Sequence, residues 1–362
     1  MTVDFDGWGG ESIRQAVSNL QGVVQHTPLL PARDLAPDIN LYLKAENLQR
    51  THAFKFRGAY HRVSRLVAET ESPGVIAASS GNHALGVALA ASLHQLPAKV
   101  VMPTTAPDIK AIGCQRYGAE VLRVGANYDE ALTYAKNLAS ETKWAYIESF
   151  DDATIISGQA SVGWEILQDL PDVEVIVAPI GGGGLISGLL ALTQGTPDSM
   201  AKRFFPKRKR PLSEIEIIGV EAEGAASMRA SYSSGQRTEL SDLKTEAEGI
   251  AVRRPGALTF RWVHQFATDI VTVSDLEMWD MVVTLLTKEK LLVEAAGAAA
   301  PAAVMAGKSG FQVCLADYQK TKRAIVCILS GGNLEMSVLQ KHLARFNQSN
   351  ISKRPVDDSY GI

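Results

Sequence analysis

Cysteine is scarce in this chain: Cys114, Cys314 and Cys327 are all that 362 residues contain. They are far apart, odd in number and without CxxC spacing, so no disulfide framework is expected and a reducing compartment, the cytoplasm, is. Charge imbalance is also missing. A net charge of −3 and a pI near 6.2 give no global field that favours nucleic acid or an anionic membrane. The one basic run, Lys202, Arg203, Lys207, Lys209 and the arginines Arg208 and Arg210, is broken by Phe204-Phe205-Pro206 and reads as a solvated surface loop. No long apolar run is free of charge or proline, because residues 291–307 carry Glu294 and Pro301 and read as core. The acidic start (Asp4, Asp6, Glu11) lacks the basic-then-apolar order of a signal peptide. There is no internal repeat, no HExxH, DxD or Cys/His cluster for a transition metal, and no GxSxG elbow.

What is present is an ordinary globular composition, 46% hydrophobic and 21% charged, over a length that exceeds one compact core. Short β-branched runs at residues 40–44, 74–78, 99–103, 120–124, 173–180, 214–221, 269–273 and 323–329 alternate with helical patterns. The helical patterns lie at 82–96, 128–142, 184–192, 276–290 and 295–306. This alternation predicts an α/β fold of open, mostly parallel sheets covered by helices. The stretch 75–124 is a small α/β unit set inside a larger one. The expected division is a discontinuous large domain (1–68 and 150–345), a small domain (69–149) and a loose polar tail (346–362).

Lys55 is the most unusual side chain. It lies in Thr51-His52-Ala53-Phe54-Lys55-Phe56-Arg57-Gly58-Ala59, an apolar setting with an arginine two residues on. Desolvation and a nearby guanidinium both disfavour an ammonium and would lower its pKa. A neutral lysine amine can attack an aldehyde and form a Schiff base. The alternative is a lysine whose stem covers apolar surface while its head reaches water.

Three further segments each join an apolar strand to a polar or glycine-rich turn. In Ala178-Pro179-Ile180-Gly181-Gly182-Gly183-Gly184-Leu185, four glycines lead into a helix. Their amides can converge on an anion at the helix N-terminus, as a phosphate cradle would require. The spacing is neither GxGxxG nor a Walker loop, and a purely structural turn is the alternative. In Ala78-Ser79-Ser80-Gly81-Asn82-His83, the hydroxyls and free amides could hold a carboxylate or simply cap a helix. His83 taken alone reads as a packed helix residue. The third segment is Val326-Cys327-Ile328-Leu329-Ser330-Gly331-Gly332-Asn333. Such strand ends are where ligands bind in open α/β sheets.

In this order the segments resemble the threonine dehydratase and serine racemase family of pyridoxal-phosphate enzymes, fold type II. The resemblance runs from about Thr27 to Asn333. It is carried by ENLQRTHAFKFRGA, SSGNHALGVA, VMPTTAPDIK, GGGGLISG, GVEAE, GIAVRRPG, LLVEAAGAAA and ILSGGN. It implies a small domain inserted in a cofactor-binding one, a symmetric dimer and a small amino acid as substrate. Lys55 would be the Schiff-base lysine and Phe54 would flank the pyridine ring. Asn82 would bond the phenolic oxygen, and Gly181, Gly182, Gly183, Gly184 and Leu185 would hold the phosphate. Ser330 would face the ring nitrogen, with Gly249 and Glu294 bordering the cofactor. Ser79, Asn82 and His83 would hold the substrate carboxylate.

The resemblance implies dehydration and deamination of threonine or serine to a 2-oxo acid and ammonia. Ser330 is neutral where a carboxylate would keep the ring protonated, so the electron sink is weaker and prompt loss of the β-hydroxyl is favoured. Ser80 occupies the place where family racemases keep a second-face proton donor, which leaves open racemisation or a hydroxyaspartate-type ammonia-lyase. A non-catalytic pyridoxal-phosphate binder is a third reading. The family's Mg²⁺ or Ca²⁺ site would use Glu221 and the carbonyl of Ala225, but position 227 is serine rather than a carboxylate, which predicts a weak site or none. Ala53 replaces a common serine, the basic run is unusual for the family, and inhibition by isoleucine through a C-terminal regulatory domain is not expected.

Overall fold

A computed structural model describes residues 9–307 and 322–351; Asp4, Asp6, Cys314, Pro355 and Gly361 lie outside them. Helix α1 (Gly10–Leu20) and strands β1 (Leu29–Pro31) and β2 (Leu41–Lys44) precede α2 (Lys55–Glu69). Next, β3 (Val75–Ala78), α3 (Asn82–Leu93), β4 (Ala98–Met102), α4 (Asp108–Gln115), β5 (Glu120–Arg123), α5 (Tyr128–Thr142) and β6 (Ala145–Tyr146) alternate. Helices α6 (Ala153–Gln159) and α7 (Ser161–Asp169) lead to β7 (Val175–Pro179), α8 (Gly184–Gln194), α9 (Asp198–Phe204) and β8 (Glu216–Ala222). The chain continues through α10 (Ser227–Ser234), α11 (Ala257–Phe266), β9 (Asp269–Val273), α12 (Asp275–Thr284) and α13 (Ala295–Met305). Strand β10 (Ile325–Ile328) and helix α14 (Met336–Ile351) follow.

The strands form two sheets, ordered β1-β2-β10-β7-β8-β9 and β5-β4-β3-β6. Among the described residues only β1 pairs antiparallel as a strand, at an edge. Strand β7 shows why its sheet is covered on both sides: all five of its residues are buried. Val175 and Val177 face a core with α12 and α13, whereas Ile176 and Ala178 face a second core with α7, α8 and α11. That period of two with both faces apolar is how a parallel strand buried by helices reads. The smaller sheet repeats the pattern, with Val75 and Ala77 on one face and Ile76 and Ala78 on the other.

Several local expectations change. Helix α2 was not anticipated; Phe56, Ala59, Val63 and Leu66 turn it onto the core of the smaller sheet. The smaller sheet gains β6, two residues long, and β1 spans only three, both too short to show a period. The helix expected over 276–290 ends as α12 and passes into a π-helical turn, Leu285–Glu289, before left-handed Lys290 (φ 60°). Helix α14 runs past residue 346, where a loose tail was expected, to Ile351. Docking explains it: Leu339 is buried, and His342 stacks on Trp279 with ring centroids 3.9 Å apart. The basic run is tied to the surface in part, since Arg208 donates to the carbonyls of Pro171 and Val173 and Arg210 pairs with Glu174 and Glu214. Among the described residues no helix is long and apolar enough to cross a membrane.

Candidate active site

The carboxyl ends of β3, β7 and β10 open onto one cleft of about 1600 Å³. Its lining includes Phe54, Lys55, Ser79, Ser80, Asn82 and His83, the loop from Gly181 to Leu185, and Gly249, Glu294 and Ser330. Segments far apart in sequence thus share one wall.

Lys55 is the first residue of α2. The chain before it is pinned to the end of β10: Phe54 donates its amide to the Ser330 carbonyl (3.1 Å), and Ala53 bridges Gly331. The Lys55 amine donates to the Ser149 carbonyl (3.1 Å) and lies 5.3 Å from the centre of the Phe54 ring. Burial pushes its pKa down from 10.5 to about 8. The guanidinium expected to assist does not. Arg57 is fully buried on the far side of the helix turn, held by both oxygens of Glu46 and both of Glu165. Lys44 joins the same group through Glu165 (2.6 Å). Two buried cations and two buried carboxylates neutralise one another, so Arg57 anchors α2 rather than tuning Lys55.

The glycine loop has the form of an anion cradle. Gly183 has φ +95°, and a Cβ there would lie 2.7 Å from Met228 and 2.8 Å from Thr259. A Cβ on Gly182 would fall 2.2 Å from the Phe150 ring. Side chains are therefore excluded, and the backbone is exposed to the cleft. Among the described residues, the amides of Gly181, Gly182, Gly183, Gly184 and Leu185 donate to no carbonyl or side chain. Five unpaired N–H groups at the start of α8 are donors waiting for a multivalent anion.

At the start of α3, Asn82 donates to Glu294 (2.6 Å) and accepts from Asn333 (2.7 Å). Asn333 also donates to the Thr51 carbonyl (2.8 Å), joining three loops. Burial pushes the Glu294 carboxyl up to about 7, against the Asn82 amide that holds it down. A Cβ on Gly249 would stand 3.0 Å from the Ala296 side chain and 3.4 Å from that carboxyl, so the glycine lets the loop lie close. Ser79 accepts from the Gly81 amide (3.2 Å), and the Ser80 hydroxyl has no hydrogen-bond partner among the described residues. Ser330 is buried and donates weakly to the Ala296 carbonyl (3.4 Å). His83 is turned inward: its ring lies 3.1 Å from the Ile147 carbonyl. Burial and the nearby Lys55 charge push its pKa to about 3. Its imidazole is a packed neutral group.

Glu221 accepts from the amides of Met228 (2.8 Å) and Arg229 (2.7 Å) at the start of α10. Burial pushes its pKa up to about 8 despite those bonds. Ala225 is buried beside it, and the buried Ser227 hydroxyl has no partner among the described residues. Each oxygen of Glu221 thus already accepts one amide, leaving a cation only its remaining lone pairs. Among the described residues no three His, Cys, Asp or Glu side chains group as metal ligands.

Residues 20–331 match the family model described as pyridoxal-phosphate dependent enzyme. The chain belongs to that family. It is 39% identical over 334 residues to an L-threonine ammonia-lyase of Thermotoga maritima, covering 91% of this chain and 77% of that relative. It is 35% identical to a catabolic L-threonine dehydratase of Staphylococcus aureus, covering 90% of this chain and 89% of the relative. Among solved structures, the processed threonine deaminase isoform 2 of Solanum lycopersicum superposes with a TM-score of 0.77 at 35% identity, covering 93% and 94% of the two chains. Maize serine racemase superposes with a TM-score of 0.81 at 30% identity, covering 95% and 99%.

The cofactor of the family suits the cleft on three counts. The unpaired amides of the glycine loop match a phosphate, Lys55 carries an amine of lowered pKa, and the Ser330 hydroxyl has only a long bond to give up. Sequence reasoning overlooked the segment Ser149-Phe150-Asp151, which supplies the Lys55 acceptor and the ring beneath Gly182. The only local signal was Asp151-Asp152 ahead of a helix, an ordinary capping pattern.

Proposed function

We propose that this chain eliminates water from L-threonine, and from L-serine, and that one water then hydrolyses the resulting imine to release ammonia and the corresponding 2-oxo acid. The observation that carries this reading is the meeting of Lys55, the free-amide loop and Ser330 in one cleft, in a chain whose relatives are named threonine ammonia-lyases and dehydratases. The amides of Gly181, Gly182, Gly183, Gly184 and Leu185 would bind the cofactor phosphate. Asn82 and Ser330 would orient the ring, with Phe54 packing beside it and Gly249 and Glu294 at its border. Pyridoxal phosphate, when bound, supplies a conjugated ring that disperses the charge left when a Cα proton departs. Lys55 would hold the cofactor through Nζ and, as a free amine, would take that proton at the same atom; its lowered pKa keeps the neutral amine accessible near neutral pH. Ser79, the Asn82 side chain and the amide of His83 would receive the substrate carboxylate at the start of α3.

Incubation with L-threonine and L-serine, with 2-oxo acid and ammonia measured together, tests the reaction. Formation of neither product from either substrate would sink it. Ser80 supports a second activity, because its unpartnered hydroxyl lines the same cleft and could return a proton to the other face. D-serine formed by the protein and lost in Ser80→Ala, with elimination retained, is the expected signature; equal loss of both refutes that role. The division into a large cofactor-binding unit and a smaller inserted one, with α2 packing on the smaller, belongs to the same reading, as does a cytoplasmic location suited to the free, buried Cys114 and Cys327. We also take the protein to be a homodimer, the closed symmetric state that most soluble oligomers adopt; a monomeric mass by light scattering would overturn this.

A further inference from the structure

We infer that Asp151 is a positioning residue, which sets the distance between the lysine and the phosphate cradle through the strap Ser149-Phe150-Asp151. The inference rests on the reading of Lys55 and the glycine loop given above. The strap leaves β6 and enters α6, so it passes from the smaller sheet into the helices packed on the larger one. Three consecutive residues each engage a different part of the cleft. The Ser149 carbonyl accepts from the Lys55 amine (3.1 Å). The Phe150 side chain fills the volume that a Cβ on Gly182 or Gly184 would need, at 2.2 Å and 3.0 Å. The Asp151 carboxylate accepts from the amides of Ala257 (2.8 Å), Leu258 (2.8 Å) and Thr259 (3.3 Å).

Those three amides are the open N-terminus of α11, whose cap residue, Gly256, has no side chain with which to satisfy them. A carboxylate there is favoured by both the free donors and the helix dipole. The contact is long-range, more than one hundred residues in sequence, so it is a tether rather than a local cap. Thr259 closes the circuit, because its hydroxyl donates to the Gly182 carbonyl (2.6 Å) inside the cradle. The lysine, the strap, the first turn of α11 and the glycine loop therefore form one ring of contacts. Asp151 is the only charged member of that ring apart from the lysine. Asp152, next along, caps its own helix through Thr154 and Ile155 and takes no part.

Without the carboxylate, the strap has nothing to hold it against α11. Phe150 can then withdraw from beneath Gly182, and Lys55 loses a fixed acceptor and gains water. The test uses full-length apo-protein with Asp151→Asn, Asp151→Glu and Thr259→Val, and Lys55→Ala as the reference for the site itself. Two readouts are taken: the dissociation constant for pyridoxal phosphate, by absorbance titration, and the pH dependence of Lys55 modification by an amine-directed acylating reagent, read by mass spectrometry.

Asp151→Asn should weaken cofactor binding by about tenfold or more and move the Lys55 inflection upward. Asp151→Glu should recover most of both changes. Thr259→Val, which breaks only the link to Gly182, should weaken cofactor binding with the Lys55 profile unmoved; it carries the test if Asp151→Asn does not fold. Unchanged cofactor affinity and an unchanged Lys55 profile in Asp151→Asn, or full affinity in Thr259→Val, would overturn the proposal. The underlying reading fails separately, if wild-type protein takes up no cofactor or Lys55→Ala still holds it covalently.

Discussion

Lys55 shows how one environment converts a common residue into a reagent. An ordinary lysine is protonated at neutral pH, but burial brings this one down to about 8. The folded state therefore binds fewer protons here than the unfolded chain between about pH 8 and the ordinary value of 10.5, so this group's contribution to stability rises with pH across that window. Uptake of pyridoxal phosphate by the apo-protein should follow the same inflection, with a rate that climbs to about pH 8 and levels above it. A rate still climbing at pH 10 would show a lysine of ordinary basicity. The desolvation of Lys55 was legible in sequence and does lower its pKa, but the guanidinium expected to assist takes no part. Arg57 is near in sequence yet turned the other way, toward Glu46 and Glu165. His83 was readable as a packed residue, and its bond to the Ile147 carbonyl agrees with that.

Among the elements, the loop between β7 and α8 depends on backbone conformation more than on any side chain. Gly183→Ala places a Cβ at φ +95° and against Met228 and Thr259, at a cost of about 1–3 kcal/mol. Cofactor affinity should fall by about tenfold or more, and titration of the apo-variant measures it. Helix α2 depends instead on charge. Replacing Arg57 by Met leaves Glu46 and Glu165 buried without a guanidinium, which should cost about 3–5 kcal/mol in chemical denaturation. A loss under about 1 kcal/mol would mean that the two carboxylates find other partners. Strands β3, β7 and β10 were plain from their apolar runs, and α5, α8 and α13 from their helical patterns. Strands β1 and β6 escaped because two or three residues carry no periodicity, and α14 because its docking on Trp279 is invisible in a polar sequence.

At the scale of the whole molecule, the cleft is held from both sides. Asn82, at the start of α3, reaches Glu294 before α13, and Lys110 on α4 pairs with Glu248 beside Gly249. Each tether joins the smaller sheet's elements to the larger sheet's. The Lys110–Glu248 pair is partly exposed, so it should contribute no more than about 1 kcal/mol and weaken with salt. Lys110→Ala should accordingly raise KM for the amino acid by up to about fivefold, with kcat little changed. High salt should raise the wild-type KM and leave that of the variant unmoved; a salt-insensitive wild type would remove the tether from substrate binding.

By itself the sequence determined the alternation of strands and helices and the four segments that line the cleft. Each of these is local: a period of two, a residue type, a run of glycines. Tertiary structure alone decided which way Arg57 and His83 point, what lies beneath Gly182, and which carboxylate caps α11. Those are contacts between segments up to more than a hundred residues apart, and no local pattern encodes them, because the partners come within reach only through the packing of the two sheets and their helices.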